Sequence, residues 1–79
     1  MNSERMAVDI VRFLREASHA DNFDDQTDLL ESGLLNSLLL MDLLTFVERQ
    51  YSVRLPASDL TPANLSTVGA IVELIQRST

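Results

Sequence analysis

Few side chains in this 79-residue chain could do chemistry. There is no cysteine and a single histidine, His19, which excludes a disulfide framework, a thiolate nucleophile and the common metal-ligand clusters. Hydroxyls and carboxylates remain. The best placed is Ser37, which follows Gly33-Leu34-Leu35-Asn36 and opens a strongly apolar run. A serine hydroxyl in the first turn of a helix is exposed and lies beside unpaired backbone N–H groups and the positive end of the helix dipole. An attached anion is tolerated at that end and repelled at the other. The plainer role is capping, because the side chain of Asn36 or of Ser37 can accept a bond from an orphan N–H. A Ser–His–Asp set can be drawn with His19, yet nothing in the spacing supports an oxyanion hole. The cluster Asp21, Asp24, Asp25 and Asp28 lacks the residue order of a calcium loop and reads as a solvated acidic stretch. Asn64-Leu65-Ser66 matches a glycosylation sequon and reads as polar residues leading into a helix.

The elements that must position Ser37 are helical. Met6, Ile10, Phe13, Leu14 and Ala17 recur at the spacing of one helix face, which predicts a first helix over about residues 4–17. Residues 18–36 form a long connection with its own apolar anchors, Phe23, Leu29, Leu30, Leu34 and Leu35, so an ordered loop is expected. A second helix is predicted from Ser37 to Tyr51, with Leu40, Leu43, Leu44, Val47 and Tyr51 as its core stripe. Val53 and Leu55 precede Pro56 and are expected to be extended. Ala57 to Leu60 suit one short helical turn. Ser66 is the expected cap of a last helix burying Val68, Ile71, Val72 and Ile75, with Arg77 near its end. The fold expected is all-α, a small four-helix bundle of three principal helices and one short one, forming a single domain over residues 1–79.

Composition narrows the function. Twelve acidic residues against six basic ones, all arginine, give a net charge of −6, which argues against nucleic acid as a partner. A hydrophobic content of 46% is normal for a compact domain and too high for a disordered acidic tail. The longest unbroken apolar run, Leu38 to Met41, is far short of the ~20 residues of a membrane span. The polar N-terminus does not read as a secretory signal. A soluble, cytoplasmic, monomeric protein without a metal is expected.

The segment from Leu29 to Leu38 resembles the modification site of acyl and peptidyl carrier proteins, where a long loop ends in Gly-hydrophobic-hydrophobic-Asp-Ser-Leu. Gly33, Leu34, Leu35, Asn36, Ser37 and Leu38 are the matching residues. Asp42 and Glu48 fall where that family has acids on its second helix, and Tyr51 falls at its aromatic end. Leu60 to Val68 is similar to the family's lead into its last helix, so the similarity spans about residues 5–77. The resemblance implies a four-helix carrier fold and a 4'-phosphopantetheine arm on Ser37. It also implies no catalytic residues, with a phosphopantetheinyl transferase, an acyl- or aminoacyl-loading enzyme and a downstream synthase or transferase as partners. Asn36 departs from the family's Asp and removes an acid that helps transferase recognition. Leu38, Met41 and Thr45 form a stripe beside Ser37, and Leu39 stands where fatty-acid carriers often have an acid. Together with Asn36, Asp42 and Glu48 these residues make the expected docking face. The alternative places Leu39 and Met41 in the core. The apolar Leu39, the absence of lysine and the Leu-Leu-Glu-Ser-Gly-Leu-Leu lead-in favour polyketide, nonribosomal peptide or related specialised biosynthesis. The alternatives are a housekeeping fatty-acid carrier and a helical interaction module that bears no prosthetic group.

Overall fold

Polar side chains close the helix starts, and apolar ladders decide which faces are buried. Asn2 is extended and its Oδ1 accepts the N–H groups of Glu4 and Arg5, which starts α1 (Ser3–Ser18). His19 ends it in the left-handed region at φ 61°, its N–H donating to the Arg15 carbonyl. The computed structural model describes residues 2–20 and 22–78, so Asp21 of the acidic stretch lies outside the described residues. α1 buries Met6, Ile10 and Leu14, spaced at four. Phe13 and Ala17, expected on that face, lie off it. Phe13 is half-buried and stacks on Phe46 with ring centroids 4.6 Å apart, and Ala17 is exposed.

α2 spans Ser37–Tyr51, as the apolar pattern predicts. Its rotation differs. The buried line is Leu39, Leu43 and Val47, while Leu40, Leu44 and Tyr51 are half-buried. Expecting Leu39 on the outer side was wrong: it is 8% exposed and belongs to the core. Leucines at 38, 39, 40, 43 and 44 cover most of the helix circumference, so periodicity alone does not choose among them. The Tyr51 hydroxyl donates to Asp9 Oδ2 at 3.2 Å and joins the end of α2 to α1. Burial, reinforced by the Asp9 carboxylate, pushes this phenol up to about 12, so it stays a donor at any physiological pH.

Val53 and Leu55 are buried in the stretch after α2. The turn before Pro62 is a 3-10 turn over Ala57–Asp59. A short helix follows, α3 (Pro62–Leu65), capped by Thr61. α4 (Val68–Arg77) is capped by Thr67 and not by Ser66. The reason is local: Ser66 has helical angles (φ −70°, ψ −33°), whereas Thr67 is extended and its Oγ1 accepts the Ala70 N–H at 3.0 Å. Val68, Ile71, Val72 and Ile75 are buried as expected, with Leu74 beside them. Asn64 of the sequon is engaged at both ends, donating to the Asp59 carbonyl and accepting from Arg77.

The connection between α1 and α2 is pinned to the core. Phe23, Leu29 and Leu35 are buried and Leu34 is half-buried, while Leu30, counted as an anchor from sequence, is exposed. The Leu29 N–H donates to the Ser66 carbonyl at 2.6 Å and the Gly69 N–H to the Asp25 carbonyl at 3.2 Å, tying the loop to the start of α4. Its acids act as turn formers. Asp24 Oδ1 accepts from the Gln26 N–H and the Thr27 hydroxyl, and Asp28 Oδ1 accepts from the Leu30 and Glu31 N–H groups. The bond from the Gln26 N–H is the main reason the Asp24 carboxyl titrates below its usual range.

Candidate functional site

The approach to Ser37 is built by a turn and two buried leucines. Gly33 turns the chain at φ 78°, a conformation that glycine adopts without a side-chain penalty. The Leu35 N–H then donates to the Leu29 carbonyl at 2.9 Å, and Leu35 packs into the core. With Leu35 buried before it and Leu39 buried after it, the residues between are held at the surface. Asn36 is extended (φ −113°, ψ −179°), and its Oδ1 accepts the Leu39 N–H at 2.9 Å. Asn36 is therefore the cap, which leaves Ser37 as the first helical residue. Ser37 is exposed, and its hydroxyl has no hydrogen-bond partner among the described residues. No acid lies in the first turn of α2, so nothing within it offsets the positive end of the dipole.

Next to Ser37, Leu38 is 77% exposed and Met41 62% exposed, with Thr45 one turn further along the same outer face. Asp42 is exposed beside them. Two residues expected on the docking face are placed differently. Leu39 faces the core, as described above, and Glu48 is half-buried with its Oε2 accepting the Leu55 N–H at 3.1 Å. Glu48 thus holds the chain after α2 in place. His19 shares no hydrogen bond with Ser37, so no catalytic pair is assembled among the described residues.

A groove of about 560 Å³ opens beside Ser37, between the end of α1, the connection and the first turns of α2. Asn36 and Leu38, which flank Ser37 in the chain, line it together with Ala17 and Asn22. Ala17 and Asn22 carry no motif that would single them out. They reach the groove only because α1 and α2 pack side by side, which the sequence does not display. The arrangement suits a covalently attached anion: an accessible hydroxyl and a helix start without acids.

A family model described as the phosphopantetheine attachment site matches residues 8–75. Over 57 residues the chain is 35% identical to PigG, a probable acyl carrier protein of Serratia sp. (strain ATCC 39006). That match covers 72% of this chain and 66% of the Serratia protein, just under two thirds of its length.

Proposed function

The chain belongs to the phosphopantetheine-attachment family, and from that premise we propose that Ser37 carries the arm and that the protein is a freestanding, non-catalytic carrier. Proteins of this family bear 4'-phosphopantetheine covalently on a serine and work with a phosphopantetheinyl transferase and biosynthetic enzymes. The observation that carries the assignment is the state of Ser37: first residue of α2, exposed, with a hydroxyl that no described residue engages. No base is in hydrogen-bond contact with it, so its activation falls to an external transferase. When bound, the arm supplies a terminal thiol that holds an acyl or aminoacyl group as a thioester. The chain's own residues present it. Leu35 and Leu39 fix the backbone around Ser37, Asn36 holds the first turn, and Leu38, Met41 and Thr45 offer partners a partly apolar face. Asp42 adds a charge that steers basic surfaces toward that face. This apolar face, and an all-arginine basic set, fit polyketide, nonribosomal peptide or related specialised biosynthesis better than a housekeeping fatty-acid carrier. The test is intact mass after coexpression with a broad-range phosphopantetheinyl transferase. A stoichiometric gain of the prosthetic mass is expected, and an unmodified chain would leave a helical interaction module as the reading.

Asn36 sets the second test. Replacing it with Asp keeps an acceptor for the Leu39 N–H and restores an acid beside the modified serine. Asn36→Asp is expected to raise the initial rate of modification by a broad-range transferase about two- to five-fold at low salt, the gain fading as screening shortens to ~10 Å near 0.1 M. Equal rates across a salt series would remove Asn36 as a determinant of transferase recognition.

A further inference from the structure

We propose that the outer face of α1 is a self-association surface, on which two copies of this chain pack α1 against α1 in an antiparallel, two-fold contact. The face borders a groove of about 580 Å³ between α1 and the connection that follows it. Ala7, Val8 and Val11 give the groove an apolar middle, and Phe23 lines it from the connection. Val8 is left 51% exposed by the fold. No residue of α2 lines this groove, so the surface is separate from the one around Ser37. Charge is polarised along it. Glu4 stands at one end with Asp25 of the connection, the two lining a further hollow together with Ala7. Arg12 and Arg15 stand at the other end, the Arg15 guanidinium 5.9 Å from the centre of the Phe23 ring. None of these four charges is in ion-pair contact with a described residue; Arg5 and Asp9 form the one ion pair among them.

The order of these groups decides what fits. Glu4, Val8, Val11 and Arg15 stand at i, i+4, i+7 and i+11, one line along the helix. Glu4 and Arg15 are equally far from the point midway between Asp9 and Ile10, as are Val8 and Val11, and Ala7 and Arg12. A two-fold contact requires that residue i meet residue j while j meets i. Two α1 helices that cross antiparallel at that midpoint satisfy the requirement. Val8 of each copy meets Val11 of the other, and Glu4, about 16 Å from Arg15 on its own helix, meets Arg15 of the other. Each acidic end then faces a basic end, twice across the axis. A parallel pairing sets Glu4 against Glu4 and Arg15 against Arg15, which like charge opposes. Valine and alanine in the middle suit helix axes roughly 8–10 Å apart. The second copy is the occupant argued for because its charges already stand in the complementary order, with the apolar pairs in register between them. The face is small, one helix line and a loop edge, so the dimer is weak, with a dissociation constant on the order of 0.1 mM. Repulsion between two chains of net charge −6 keeps it so. Such a dimer departs from the monomer expected from sequence, and with no residue of α2 in the groove it leaves Ser37 of both copies uncovered.

The test is sedimentation equilibrium of the whole, unmodified chain, which keeps the outcome independent of attachment at Ser37. Salt is held at about 0.15 M, where repulsion beyond about 8 Å is screened. Concentrations run from about 0.02 to about 1 mM, bracketing the expected constant. The average mass is expected to rise toward that of two chains. Glu4→Arg and Arg15→Glu each set like charges at both ends of the contact and should weaken self-association about ten-fold or more. In an equimolar mixture of these two variants opposite charges face each other again at both ends, so association is expected to return to about the wild-type level. Val8→Glu puts a carboxylate into the apolar middle from each copy and should abolish the dimer. All three positions are exposed, so the variants are expected to fold, and a melting curve checks each. A wild-type chain still monomeric at about 1 mM overturns the second copy as occupant and leaves the groove to a helix of another protein. Self-association that the three variants leave unchanged overturns the face. A mixture as weak as its components overturns the antiparallel register.

Discussion

Ser37→Ala is expected to abolish the gain of prosthetic mass completely while leaving the fold almost untouched. The two halves of that expectation come from different parts of the same turn. Loss of the hydroxyl removes the nucleophile that a transferase needs. Loss of a cap would ordinarily cost about 0.5–2 kcal/mol, but the cap is Asn36, and the Ser37 hydroxyl engages no described residue. The melting temperature is therefore expected to stay within about 4 °C of wild type, which corresponds to roughly 0.5 kcal/mol for a domain of this size. The measurement pairs intact mass with a thermal melt on the same samples. An Ala variant that still gains the mass moves the attachment point elsewhere, and the nearby exposed Ser32 would be the next position to replace. A variant that gains nothing because it is unfolded would show in the melt, and would contradict the cap assignment.

What could be read from sequence follows from how local each feature is. The ends of α1 and α2 were legible because capping groups and breaks in the apolar pattern lie within a few residues of each end. Ser37 can be proposed from sequence because its motif is contiguous. The cap was not resolved until the backbone was seen, since Asn36 and Ser37 have side chains of equal capping ability and only φ and ψ separate them. Ser66 and Thr67 pose the same problem at α4, where the more familiar serine is the C-cap of α3. The groove beside Ser37 depends on α1 meeting α2 across a connection of eighteen residues, from His19 to Asn36. Such a contact is non-local, and its wall residues Ala17 and Asn22 are unremarkable in the chain. The rotation of α2 failed for a different reason. A helix apolar on most sides has no unique buried stripe, so the choice passes to the neighbours that pack on it.

That rotation carries the other large expected effect. Leu39→Glu is expected to destabilise the protein severely, contrary to what an outward-facing Leu39 would give. The leucine is 8% exposed, and removing it forfeits about 1.5–3 kcal/mol of burial before the carboxylate's own desolvation is counted. A negative charge in the first turn of a helix returns only about 0.3–1 kcal/mol. A net loss of about 2–4 kcal/mol is expected, against a total stability of about 4–12 kcal/mol for a chain of this length. In melting temperature this is a fall of roughly 8–30 °C. Leu43→Ala, at 1% exposure in the middle of the same buried line, should cost about 2–5 kcal/mol by leaving a cavity. Leu38→Glu is the contrasting variant. Its side chain is 77% exposed and lies at the same end of the dipole, so stability should change by less than about 0.5 kcal/mol. Any loss of transfer to a partner enzyme in that variant then reports on the outer face and not on folding. Three melting curves decide the matter. Should Leu38→Glu unfold the protein while Leu39→Glu melts like wild type, α2 is turned by about one residue from the arrangement described here, and the apolar docking face moves with it.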